Sequence, residues 1–522
     1  MTPLGIRALA RLQWRTNWRT LLTPLLLTGL VTAIGAGVSG LYPTAAHRAT
    51  YAATLGSSLA TQAINGRAYD LTSIGGITAY EVGFMGQLLL PLVGVLLAIH
   101  LTRRWEDTGT TELLTAAPLH RLALPLAAAL NLTGAWLLFA ATAAVGLHLL
   151  GLPLAPATHY TLSLGAFALA WSGVGLVAAQ LAAPARAARG LGLAAAATCY
   201  LLRLVVDGSA WSATWLSPMG WVVEARSWGP ARWTPILALL ALAAAGLAAA
   251  LALAQHRDLG VGALPTRLGP ATGRQLAHPL RLHWRLARHL TWGWLGGATA
   301  WAATLGLLSQ EFLAAFEGNP TLAALVGGAG PRLVSQFGLL VTSLCAAAAG
   351  LAAFLPLGGH ETAGRLGLLL AGSRSRRAWW TSTCLSSLTT VCLVHLTAAT
   401  VLGLSQWQAL GQATAFSDTL RAAVTYLPAV SVPVGGGALL VGCWPRARAL
   451  AWLPVAWILV VGLLAQPLRL PQWAIHLSPL AASGNLPTQP AHWPTVAGLA
   501  VLTVGLLVLG GVGLARRDLR HG

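Results

Sequence analysis

The chain has 522 residues, of which 56% are hydrophobic and only 9% charged, and its mean hydropathy is +0.67. A soluble fold of this length needs far more charge to cover its surface, so a soluble α-protein is excluded. The net charge is +19, from 32 basic and 13 acidic side chains, and no lysine is present; every basic residue counted is Arg. These Arg lie between apolar stretches rather than on one soluble face, which argues against a nucleic-acid partner.

In chain order, Arg7, Arg11, Arg15 and Arg19 come first, at i, i+4 spacing with Trp14 and Trp18 on a neighbouring stripe. This predicts an amphipathic helix on a membrane surface, leading into an uncleaved signal-anchor. Apolar segments long enough to cross a bilayer then recur. In the first half they fall at 21–40, 82–102, 122–150, 160–183, 188–206 and 233–255. In the second they fall at 291–308, 335–357, 378–404, 423–443, 449–467 and 494–515. The expected fold is an all-α membrane protein of about 12 transmembrane helices in two parallel six-helix repeats, 1–270 and 271–522. With both termini cytoplasmic, 24 of the 32 Arg fall inside, as the positive-inside rule requires. Cys199, Cys345, Cys384, Cys392 and Cys443 lie in or beside apolar spans without a CxxC, and the 14 His are scattered; no metal site is expected.

The repeat is written in the residues. Arg11-Leu12-Gln13-Trp14-Arg15 returns as Arg281-Leu282-His283-Trp284-Arg285, each copy ahead of the first span of its half. Glu106, Gly109, Leu113 and Leu114 return as Glu361, Gly364, Leu368 and Leu369, a shift of 255, with Arg121 and Arg376 closing the two segments. Leu216-Ser217-Pro218 matches Leu477-Ser478-Pro479 before each sixth span, and Arg257-Asp258-Leu259 matches Arg517-Asp518-Leu519 after it. An even number of spans per half returns the chain to the same side, so both Glu-Gly-Leu-Leu segments belong on one face around a pseudo-two-fold axis.

These motifs resemble the permeases of ATP-binding-cassette exporters of the ABC-2 type, and more closely their duplicated 12-helix "exporter of polyketide antibiotics" group. The likeness runs over nearly the whole chain. It implies a type V-like exporter permease. In that reading Glu106, Gly109, Glu112, Leu113, Leu114 and Arg121, with Glu361, Gly364, Leu368, Leu369 and Arg376, form two ATPase-coupling segments. Arg11, Trp14, Arg15, Arg281, Trp284 and Arg285 belong to interfacial elbow helices, and Ser217, Pro218, Ser478 and Pro479 to extracellular gate turns. The second coupling segment departs from the first, with Gly367 in place of Glu112, Ser373 in place of Pro118 and Gly358-Gly359 in place of Arg103-Arg104.

The residues limit the energy source. A phosphate-cradling GxxxxGK[ST] loop cannot exist without Lys, so this chain holds no ATPase site of that kind. The expected partners are two copies of a cytoplasmic ATPase subunit, which carries the ATP and Mg; the lipid bilayer; and a small amphipathic or hydrophobic cargo. No cofactor is expected on this chain. The expected location is the bacterial plasma (inner) membrane, and the expected role is export of an antibiotic, drug or lipid. Phe84, Met85, Gln87, Tyr200 and Phe337 are the candidate cavity residues, on a path between the halves. Each feature has a plainer alternative. The loop charges can be solvated, the Trp can be interfacial anchors, the Ser-Pro pairs can be helix starts, and Arg203 with Asp207 can be a structural ion pair. All 13 acidic residues are placed in loops or at span ends, with no convincing buried relay. That counts against a proton-driven 12-helix secondary transporter. A lipid-processing enzyme lacks paired carboxylates, since the first outer loop offers only Asp70 and Glu81, and a membrane scaffold is the remaining alternative.

Overall fold

A computed structural model describes residues 3–56, 59–115, 120–208, 213–264, 278–310, 312–313, 330–362, 366–367, 375–465 and 470–518. The chain divides into two compact units, Met1–Gly269 and Pro270–Gly522. Among the described residues the regular structure is entirely helical. Eleven helices there are long and apolar enough to span a membrane, so the protein is a multi-pass helical membrane protein. The expected seventh span, 291–308, is part of a 29-residue helix whose apolar content is diluted by Gly, Thr and Trp, and it is not among the eleven.

In the first unit the helices are α1 (Pro3–Leu21), α2 (Pro24–Leu41), α3 (Ala45–Leu55), α4 (Leu59–Asn65), α5 (Ile74–Leu101), α6 (Arg103–Asp107), α7 (Thr110–Thr115), α8 (Ala123–Leu149), α9 (Leu154–Leu181), α10 (Ala185–Gly208), α11 (Pro218–Glu224) and α12 (Thr234–His256). Helix α5 starts eight residues before the expected 82 because Ser73 caps it, accepting a hydrogen bond from Gly76 N at 3.0 Å. Glu81 therefore sits two turns inside a helix rather than in a loop, where it accepts a hydrogen bond from Tyr51 of α3. Helix α9 is the hub, packed against α5, α8, α10 and α12. Lipid supplies no hydrophobic drive between helices, so close approach at small residues does that work. A Cβ on Gly175 of α9 would lie 2.9 Å from the Val95 backbone of α5, and one on Gly246 of α12 would lie 2.9 Å from Gly173 Cα of α9.

In the second unit the helices are α13 (Pro279–Leu307), α14 (Pro331–Phe354), α15 (Pro356–Thr362), α16 (Arg376–Leu410), α17 (Ala413–Cys443), α18 (Leu453–Leu464), α19 (Gln472–His476), α20 (Pro479–Ala482) and α21 (Trp493–Arg516), with a 3-10 stretch at Pro445–Trp452. Gly411, at φ +69°, closes α16 in the left-handed conformation that favours glycine. The Gly-mediated crossing recurs between α17 and α21, where a Cβ on Gly510 would meet the Ala438 carbonyl oxygen at 2.5 Å. The pairs α9–α12 and α17–α21 thus cross on glycine in the same way.

Candidate coupling site

The segment between the second and third spans begins where α5 stops at Leu101. The Arg103 side chain is fully buried and reaches four groups. It donates to Glu106 Oε2 at 2.8 Å, to Gly260 O at 2.8 Å, to Val261 O at 3.3 Å and to Ala183 O. Burial lowers the Arg103 pKa, and the Glu106 carboxylate opposes that shift. Arg257, just past α12, donates to Glu106 from both terminal nitrogens, at 2.9 Å to Oε2 and also to Oε1, and from Nε to Gln180 of α9 at 2.6 Å. Asp107 accepts from Ala185 N at 2.7 Å and so caps α10. One cluster of charges therefore ties the loop to the ends of the fourth, fifth and sixth spans.

The second unit repeats the central contact. Arg517, just past α21, donates from both terminal nitrogens to the Glu361 carboxylate, at 2.6 Å to Oε2, and from Nε to Gly442 O at 2.7 Å. Arg376 opens α16 and donates to Arg517 O at 2.9 Å. The Arg103 counterpart is Gly358, and there a guanidinium arrives from another segment: a Cβ on Gly358 would lie 3.5 Å from Arg448 Nη1. Two of the repeated motifs, Glu-x-x-Gly and Arg-Asp, are thus partners of one another in both halves.

The remaining loop residues divide by exposure. Gly109, at φ +72°, makes the turn from α6 to α7. Glu112 and Arg121 are exposed, and Leu113 is 79% exposed. Leu114 instead packs on a cluster of Leu9, Trp105, Leu124 and neighbouring alanines. A cleft of about 250 Å³ lies there, lined by Leu9, Glu106, Leu114, Arg121 and Arg257 among others. Gly364, Leu368 and Leu369 lie outside the described residues.

The two segments expected to be elbows are each anchored by the residue in the middle of the motif, which was not among the expected site residues. Gln13 is fully buried; it donates to Leu101 O at 2.9 Å and accepts from Asn131 of α8 at 3.1 Å. Its counterpart His283 is buried against the Thr383 hydroxyl of α16 at 2.9 Å. Arg11, Trp14 and Arg15 remain exposed on α1, as does Arg281 on α13; Trp284 and Arg285 are half-buried. The first elbow breaks from its span at Asn17 and Thr23, whereas α13 runs through as one helix.

The other candidates are scattered. Ser217 caps α11, accepting from Met219 N at 3.3 Å and donating to Cys199 O at 2.8 Å; Pro218 follows as its first residue. Ser478 is buried and makes no side-chain cap ahead of Pro479. The Phe84 and Tyr200 rings pack at 6.5 Å, Met85 is buried on α5, and Phe337 is half-buried on α14. Gln87 lines a pocket in the first unit. Arg203 and Asp207 form a buried pair at 3.4 Å, and Arg203 also donates to Ala63 O and Ile64 O at 2.9 and 2.6 Å. That is the structural ion pair of the plainer reading.

Comparison with known proteins finds one family model in the second half: the multidrug efflux system permease Rv1217c, C-terminal domain, matches residues 276–514. The chain is also 31% identical over 507 residues to the multidrug efflux system permease protein Rv1217c of Mycobacterium tuberculosis, covering 94% of this chain and 90% of that protein.

Proposed function

The chain belongs to the family of the multidrug efflux system permease Rv1217c, and on that footing we propose that it is the membrane permease of an ATP-driven exporter of the ABC-2 type. It sits in the bacterial inner membrane with both termini cytoplasmic, and it moves amphipathic or hydrophobic drugs outward. Two copies of a separate ATPase subunit dock on the segments 104–121 and 359–376. The observation that carries this reading is the paired contact Glu106–Arg257 and Glu361–Arg517. Each ties the docking segment to the end of a sixth span, so a push on the segment is passed to the span through charge-assisted hydrogen bonds rather than lost in a pliant loop. Exposed Leu113 is the docking contact in the first half, while Leu114 carries the load inward to α1 and α8.

A second reading, proton-driven exchange, draws on His395. It is fully buried midway along α16, with Nε2 on Ala423 O at 3.1 Å and Nδ1 unpartnered. One experiment separates the two. A tagged copy of the chain is purified from its host and weighed by native mass spectrometry, then reconstituted in liposomes. Two ATPase copies per chain and ATP-dependent efflux are expected. Efflux by the chain alone under a proton gradient would overturn the ATP-driven reading.

A further inference from the structure

At the end of the first unit opposite α6 and α7, polar groups are buried without partners. The first halves of α5 and α9, with segments 65–70 and 222–229, enclose a half-open pocket of about 70 Å³. Tyr160, Phe167 and Trp228 make its aromatic wall. Gln87 of α5 lines it and is 3% exposed, yet neither its amide nitrogen nor its amide oxygen has a hydrogen-bond partner. The indole N–H of Trp228 is also unpartnered. A carboxamide in such a place costs stability, and a leucine would pack without that cost. Its presence calls for a group that completes it.

The charged side chains at the rim have partners of opposite charge or hydrogen-bond donors within the fold. Arg226 pairs with Glu224 at 3.0 Å and lies 3.9 Å over the Tyr69 ring. Arg67 faces Asp207 at 3.6 Å, a carboxylate that it shares with Arg203. Asp70 accepts from Thr72 N and Thr72 Oγ1 at 3.0 and 2.8 Å, and from Ser73. The open valences include a donor and an acceptor side by side on Gln87, the indole donor of Trp228 and the buried Nε of Arg226, against aromatic faces. Their complement is an amide or lactam on an aromatic ring.

The geometry points to a binding subsite for an uncharged aromatic amide or lactam, read by the Gln87 carboxamide. The equivalent position in the second half is not a carboxamide. The 255-residue shift leads from Gln87 to Thr342, whose hydroxyl donates to Leu339 O of its own helix at 3.2 Å. Calling the guest cargo rests on the export reading; the binding itself does not.

The test uses the full chain in lipid nanodiscs, with no ATPase present, so that failure of the subunit complex and failure of this site are read separately. Benzamide, benzoate and ethylbenzene are compared by saturation-transfer NMR. Benzamide is expected to bind at least tenfold more tightly than either of the others. Gln87→Leu is expected to weaken benzamide at least tenfold while holding or raising the melting temperature, because it removes two unpartnered polar atoms. Ala79→Phe, which fills the pocket from another wall residue, is expected to abolish binding with Gln87 intact. No benzamide binding at millimolar concentration, equal binding of ethylbenzene, or benzamide binding that survives Gln87→Leu or Ala79→Phe would each overturn the assignment.

Discussion

Arg517 grips the Glu361 carboxylate with both terminal guanidinium nitrogens across 156 residues of chain. The carboxylate is 3% exposed, so it is isolated from water and depends on this partner. Glu106 and Arg257 repeat the arrangement across 151 residues. A contact found in both units, at the joint between the proposed docking loop and a long helix, is the part of the molecule best placed to transmit force.

Breaking either pair strands a buried charge. Arg517→Ala is expected to cost about 3–5 kcal/mol and Glu361→Gln somewhat less, since the amide keeps half the hydrogen bonding. The exchange Glu361→Arg with Arg517→Glu should recover part of the loss. Thermal unfolding in detergent measures the first, and drug efflux from cells measures whether force still passes. Equal stability for Arg517→Ala and the parent would remove the pair from the account.

Neighbouring leucines should behave oppositely. Leu113→Ala is expected to leave the melting temperature unchanged and to weaken ATPase capture in a pull-down, because the side chain is in the open. Leu114→Ala should destabilise the chain by about 2 kcal/mol, at the low end for a core leucine, since it is only partly covered. Matching effects for the two would show that α7 is turned differently.

Helices α1 and α13 are each anchored by a buried polar residue, Gln13 and His283. Gln13→Leu removes the bonds to Leu101 O and Asn131 and is expected to cost about 1–3 kcal/mol. Arg11→Ala on the exposed face should cost little by the same assay. Limited proteolysis of the first 20 residues gives a local readout, with faster cleavage expected only for the Gln13 variant.

Glycine crossings offer a paired control. Gly442→Ala drives a methyl group into the Gly510 carbonyl of α21, and an overpacked core of this kind is expected to lose about 1–3 kcal/mol. Gly436→Ala, on the same helix with nothing within 4 Å, should be neutral or stabilising. Thermal unfolding of the two variants side by side decides it.

Orientation is testable in a background with the five cysteines replaced. Ala46→Cys and Leu264→Cys are both exposed, on α3 and in the tail after α12. An impermeant thiol reagent added to intact cells is expected to label position 46 and spare 264. The reverse would turn the protein over in the membrane.

The multi-pass helical architecture and most span positions were legible in the residues because they depend on local properties: apolar length, and Ser or Pro at helix starts. The start of α5 was missed for a local reason too, since Ser73 caps polar turns that hydropathy alone assigns to a loop. Other features needed the folded chain. Glu106 and Arg257 both stood in repeated motifs, yet nothing in their spacing says that they meet; helix packing brings them together. Leu113 and Leu114 are equivalent in sequence, and only the rotation of α7 against α1 and α8 separates the exposed one from the packed one. Gln87 reads as one more polar residue in a span, and its unpaired amide exists only because α9 and the 222–229 turn close around it without offering a donor or an acceptor. Hydropathy and capping act over a few residues, so a sequence carries them openly; ion pairs and pockets are made by residues far apart in the chain, and packing alone decides which of them face each other.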